Sequence, residues 1–254
     1  MNWIVTSIIL GVLLLLAILY CVLFSLQASK KQKESYDKGA GDTFNWILEA
    51  GYSQKVSEFK LLNKHAKPGQ IVLVGDSLTD NYPVSECFNG FEYEVYNRGI
   101  GGDTTDGLLK RFDESIVELN PKVVVLLMGI NDFALKKGAT PLTVASSLQC
   151  IVNKIHAALP ETKIILEAIY PVNKSSSPKI DVGSVSNKDN GLIKETNEIL
   201  SKIEGVTFLD LTSVLSDERG ELKLELTREG LHLNAEGYFL ITPILEEAIR
   251  KEMR

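Results

Sequence analysis

Apolar residues in this chain fall into two main patterns. Five short runs are dominated by β-branched and other apolar residues: IVLV at 71–74, YEVYN at 93–97, KVVVLLMG at 122–129, KIILEAIYP at 163–171 and VTFLDL at 206–211. Runs of this kind, with little polar alternation, predict strands covered on both faces. Between them lie stretches with apolar residues at helical spacing, at 106–119, 142–159 and 190–203, and a last one at 235–253 closes the chain. Strand and helix alternate throughout, which predicts a parallel sheet with helices on each side. Residues 44–65 mix apolar and charged positions at helical spacing and predict one or two helices at the domain edge. AKPGQ at 66–70 then breaks the chain before the first strand. The longest aperiodic stretch, NKSSSPKIDVGSVSNKD at 173–189, follows the fourth run. It reads either as a mobile surface loop or as a border of a ligand cleft, since open α/β sheets bind ligands at the C-terminal ends of their strands. No internal repeat is present.

The N-terminus follows a third pattern. From Trp3 to Leu26 there is no charged residue. At helical rise this run is roughly 36 Å long, enough to cross a bilayer. It predicts one transmembrane helix within residues 1–26, a polar juxtamembrane linker at 27–43 and a folded domain from 44 to 254. A cleaved signal peptide carries basic residues before a shorter apolar core. Here none precede the run, so an uncleaved anchor is the better reading. The first charges are Lys30, Lys31 and Lys33, all on its C-terminal side. By the positive-inside rule that side, with the domain, is expected in the cytoplasm, an extracytoplasmic domain being the alternative.

Composition narrows the function. With 254 residues and 44% hydrophobic content, the chain can bury one α/β core. A net charge of -6, without a basic patch interleaved with aromatics, argues against nucleic acid as a partner. Cys21, Cys87 and Cys150 lack metal-like spacing. Cys21 sits in the apolar run, so only the other two could pair, and buried free thiols are the expectation.

Candidate chemistry clusters where predicted strands end. GDS at 75–77 follows the first strand, and Ser77 there can present both its hydroxyl and its N–H to one point. A serine at such a junction is also a good helix N-cap. NRGIGGDTT at 97–105 ends the second strand in glycines that let backbone N–H groups approach a ligand. MGIND at 128–132 supplies Asn131, whose amide could donate to a developing negative charge. REGLHLN at 228–234 places Glu229 and His232 three apart, so that a carboxylate could orient an imidazole. His65, in a polar loop, and His156, on a helix face, read as structural.

Taken together, GDSLTD, NRGIGGD, GIND and EGLHLN resemble the four ordered signature blocks of the SGNH hydrolases, the GDSL esterases and lipases. The likeness runs from about Ile71 to Tyr238. The second block is especially similar to the platelet-activating-factor acetylhydrolase-like branch. The resemblance implies a three-layer α/β/α, flavodoxin-like fold with a five-stranded parallel sheet in the order 2-1-3-4-5. It also implies a serine esterase without metal or organic cofactor, with Ser77 as nucleophile and His232 as general base. The oxyanion donors it implies are the Ser77 N–H, the Gly102 N–H and the Asn131 amide. The family's last block usually reads Asp-x-x-His; here Glu229 holds the acid position. A lipid or lysophospholipid ester is the expected substrate, with an acetylated envelope glycan as the alternative. An inactive tethered scaffold is the reading from another class.

Overall fold

The computed structural model describes the backbone of residues 3–254, with side chains described throughout 49–254 and at a subset of positions from 19 to 47. The strands are β1 (Ile71–Gly75), β2 (Val95–Gly99), β3 (Val123–Leu127), β4 (Lys163–Glu167) and β5 (Thr207–Leu209). The helices are α1 (Trp3–Asn63), α2 (Ser77–Asp80), α3 (Val84–Cys87), α4 (Thr105–Lys110), α5 (Phe112–Ser115), α6 (Ile130–Leu135), α7 (Pro141–Ala158), α8 (Val182–Val185), α9 (Asn190–Leu200), α10 (Thr212–Leu215) and α11 (Ala235–Glu252).

All five strands pair in parallel, in the order β2-β1-β3-β4-β5. Strand pleating sends successive side chains to opposite faces, and two cores result. Val72, Val74, Val124, Leu126, Ile164 and Leu166 join one cluster with Leu108, Phe112, Leu148, Ile151 and Ile193 from α4, α5, α7 and α9. Ile71, Leu73, Val123, Val125, Leu127 and Ile165 join the other with Tyr238, Ile241, Leu245 and Ile249 from α11. The expected three-layer architecture and strand order are thus both present.

The chain divides into two compact units, Met1–Gly51 and Tyr52–Arg254. In the first, residues 27–43 belong to α1, whereas the sequence reads them as a linker. No proline interrupts this stretch, and the glycines at 39 and 41 each cost only about 1 kcal/mol in a helix. The expected spanning segment falls largely on side chains outside the described residues; among the described residues no helix is long and apolar enough to cross a membrane.

Three further details of the second unit differ from expectation. The run at 93–97 predicts the second strand two residues early, because pairing with β1 matches Ile71 to Val95 and Gly75 to Gly99. The single helix expected over 106–119 is broken at Arg111, whose backbone leaves the helical region at φ -109° and ψ 22°. Cys87 and Cys150 are free but not buried: Cys87 is partly exposed, and Cys150 lies on the outer face of α7.

Candidate active site

The geometry begins with three strand ends at one level. Gly75 of β1 lies opposite Gly99 of β2 and Leu127 of β3, so the chain beyond each strand emerges at the same edge of the sheet. β1 lies between β2 and β3, where connections leave in opposite directions, and this is where open α/β sheets form their crevice. Position 75 must be glycine: a Cβ there would stand 2.0 Å from Thr79 Oγ1 and 2.4 Å from the Leu127 carbonyl oxygen. The close approach turns the chain tightly from β1 into α2, with Ser77 as its first residue. Asp76 is the N-cap, accepting the Leu78 N–H at 3.0 Å. Ser77 is therefore not the cap, and its hydroxyl is left for other partners.

That partner is His232, whose Nε2 is 2.8 Å from Ser77 Oγ across 155 positions of sequence. On the far side of the ring, His232 Nδ1 is 2.6 Å from Glu229 Oε1. A proton on Nδ1 donates to the carboxylate, which leaves Nε2 to accept the Ser77 hydroxyl proton. Glu229 Oε1 also accepts the His232 backbone N–H at 3.1 Å. Both side chains are about a quarter exposed, so the line of three groups opens to solvent and to substrate.

The segment carrying Glu229 and His232 is held by several backbone contacts. Thr227 Oγ1 donates to the His232 carbonyl at 2.8 Å and accepts the Gly230 N–H at 2.8 Å. Gly230 adopts φ 108°, a region that favours glycine, and a Cβ there would lie 2.7 Å from the Asn173 carbonyl oxygen. The long connection after β4 packs directly on this turn: Asn173 N–H donates to Gly230 O at 2.7 Å and Asp181 N–H to Glu229 O at 2.9 Å. Of the two readings of 173–189, the structure favours a segment that borders the site. It also brings in Lys188, a buried side chain that donates to Ser184 O at 2.9 Å. Burial pushes the Lys188 ammonium down, opposed by the nearby negative charges of Asp76 and Glu229.

The other two blocks follow the ends of β2 and β3, which align with the end of β1. Gly102 takes φ 77° in the loop after β2. Among the described residues neither its N–H nor that of Ser77 meets an acceptor. Asn131, in the first turn of α6, donates one amide hydrogen from Nδ2 to Asp103 O at 3.0 Å and keeps a second. Its neighbour Asp132 accepts the Thr105 hydroxyl at 2.6 Å and the Thr105 N–H at 3.1 Å, tying α6 to the start of α4.

Charge is tightly managed around these groups. Asp76 is almost fully buried, and burial pushes its carboxyl up to about 7 against the opposing Leu78 N–H. Asp103 is likewise raised by burial, opposed by the Arg111 guanidinium that bonds it. The sequence reading singled out neither Asp76, Asp103, Arg111, Thr227 nor Lys188. A visible signal existed only for Arg111, a cation on the inward side of an amphipathic run. His65 is exposed and His156 lies on α7, both away from the paired groups. Among the described residues no set of His, Cys, Asp and Glu is arranged to hold a metal ion. A cleft of about 640 Å³ between α9 and the segment after β5 includes none of Ser77, Glu229 and His232.

Comparison with known proteins follows this geometry. The GDSL-like Lipase/Acylhydrolase family model matches residues 73–240. The platelet-activating factor acetylhydrolase IB subunit alpha2 of Rattus norvegicus is 29% identical over 186 residues, 72% of this chain and 77% of that protein. A Streptococcus pneumonia structure described as a platelet activating factor superposes with a TM-score of 0.74 at 28% identity, covering 83% of this chain and 98% of that one. An acylhydrolase structure from Bacteroides fragilis gives 0.65 at 26% identity, over 80% and 96%. The match spans the strand end that carries Ser77 through the segment that carries His232, so the chain belongs to the GDSL-like lipase/acylhydrolase family of SGNH hydrolases and is a carboxylic ester hydrolase.

Proposed function

We propose that this hydrolase works through an acyl-enzyme on Ser77, and the continuous hydrogen-bonded line Glu229–His232–Ser77 carries that reading. His232 Nε2 takes the Ser77 hydroxyl proton as Oγ attacks the ester carbonyl, while Glu229 holds the ring and offsets the imidazolium charge. The oxygen that becomes negative is received by the Ser77 N–H, the Gly102 N–H and the free amide hydrogen of Asn131. The imidazolium then protonates the departing alkoxide. Water repeats the sequence on the acyl-enzyme and releases the acid and the serine. Labelling by a fluorophosphonate probe tests this directly: wild type should be labelled and Ser77→Ala should not. A folded wild type that resists the probe would shift the weight to a silent scaffold.

The substrate we propose is a lipid or lysophospholipid acyl ester. Two observations support it: the likeness to a platelet-activating factor acetylhydrolase subunit, and an uncharged apolar segment in the same chain. Among the described residues, Leu19, Tyr20, Leu23, Phe24 and Leu26 of that segment are exposed. A bilayer is the environment that would cover them, with the hydrolase unit tethered on the cytoplasmic side, where the three lysines lie. Full-length protein should stay with membranes through alkaline carbonate extraction, whereas residues 52–254 should not. Good turnover of acetylated sugars with none of any acyl lipid would overturn the substrate assignment.

A further inference from the structure

We infer that Arg111 is a positioning residue that sets the oxyanion pocket as a single unit from a buried site behind the crevice. The inference rests on the assignment of Ser77, Gly102 and Asn131 as oxyanion donors. Arg111 is fully buried, yet four contacts use its fork. Nε donates to Asp103 Oδ2 at 2.7 Å, Nη1 to Arg98 O at 2.7 Å and Ser115 Oγ at 2.8 Å, and Nη2 to Gly75 O at 2.9 Å. One planar group therefore grips the end of β1, the end of β2 and the loop beyond β2.

Two of the held points lie next to donors. Gly75 is two residues before Ser77, and Asp103 directly follows Gly102. The Asp103 carbonyl receives the Asn131 amide at 3.0 Å, which aims the remaining amide hydrogen. Donors stabilise an oxyanion to the extent that they are fixed before charge develops. A guanidinium can fix three segments because its N–H groups point in set directions, whereas a lysine ammonium is a mobile point charge.

The surroundings are shaped for this pair. The helix after the loop is interrupted at Arg111 itself. A Cβ on Gly107 of α4 would stand 1.7 Å from Asp103 Oδ1, so the carboxylate fills space that another residue type would occupy. The ring of Phe59, near the end of α1, has its centroid 6.0 Å from the Arg111 guanidinium carbon and helps exclude water. A buried ion pair is weak as a source of stability, since apolar residues of similar volume often serve as well. Geometry is what this one supplies.

The test is a double-mutant cycle on the full chain, with kcat and KM measured on a soluble ester for wild type, Arg111→Lys, Asn131→Ala and the double variant. Arg111→Lys should lower kcat about 10- to 100-fold, with KM within about threefold, because only charge developing in the transition state loses its donors. In the Asn131→Ala background the same change should cost less than about threefold, since both act on one pocket. Equal losses in the two backgrounds, or an undiminished kcat for Arg111→Lys, would overturn the inference. Full kcat in Asn131→Ala alone would instead sink the donor assignment beneath it. If Arg111→Lys does not fold, Gly107→Ala, which displaces the Asp103 carboxylate and leaves Arg111 in place, goes through the same cycle with the same outcomes.

Discussion

Glu229 differs by one methylene from the aspartate usual in the last block of related hydrolases, and the extra length is accommodated locally. Its Oε1 reaches both Nδ1 and the backbone N–H of His232, so one oxygen sets the ring and the turn together. Removing the charge while keeping the shape isolates its electrostatic part. Glu229→Gln should lower kcat about 10²- to 10⁴-fold, since an amide at this position can favour the wrong imidazole tautomer. Glu229→Asp should lose far less, because the charge remains and only the reach is shortened. Steady-state kinetics on a soluble ester separates the two; a fully active Glu229→Gln would show that the acid does not orient the base. Asn131 offers a comparable measurement: as an oxyanion donor, its loss in Asn131→Ala should cost on the order of 10²- to 10³-fold in kcat.

Among the elements, α2 shows how a short helix is made into a platform. Its four residues could not persist alone, because helix nucleation is unfavourable. Three contacts hold it: the Asp76 cap, the Tyr238 hydroxyl donating to Leu78 O at 2.7 Å, and the close seat of Thr79 against Gly75. Gly75→Ala drives a methyl into Thr79 and the Leu127 carbonyl, which have little room to move. It should therefore lower both the thermal midpoint and kcat, and a variant with wild-type stability and rate would show that the turn is softer than its packing indicates. α4 and α5 display the opposite case. A pattern that reads as one helix is cut at Arg111, where four polar contacts outweigh the intrahelical bonding lost at one turn.

At the scale of the whole molecule, the second core conceals a carboxyl group with no cation beside it among the described residues. Glu167, the last residue of β4, is buried; Tyr170 donates to its Oε2 at 3.3 Å, and Oε1 has no partner among the described residues. Burial pushes this carboxyl from its ordinary 4.5 up to about 8. The sign of the stability effect follows. Below the ordinary value the group is protonated in both folded and unfolded chains and contributes no pH dependence. As pH rises toward about 8 the unfolded chain ionises and the folded one resists, so stability falls through that window. Asp76, raised to about 7, adds a slope of the same sign. Glu167→Gln should flatten this decline when urea midpoints are compared across the window. An unchanged slope would show that Glu167 ionises normally.

The sequence by itself determined the class of fold, the candidate side chains for the chemistry and their order along the chain. Apolar runs that alternate with helical periods specify a parallel sheet by local pattern alone, and Ser77, Asn131, Glu229 and His232 stand in motifs a few residues long. Strand boundaries, the break at Arg111 and the exposure of Cys150 followed from pairing and packing, which local pattern does not contain. Only the tertiary structure brought Ser77 to 2.8 Å from His232, seated the 173–189 connection on the Glu229 turn and gathered three segments around Arg111. The physical reason is that these contacts join residues far apart in sequence. Their free energy depends on the burial and distance that arise once the sheet has aligned its strand ends.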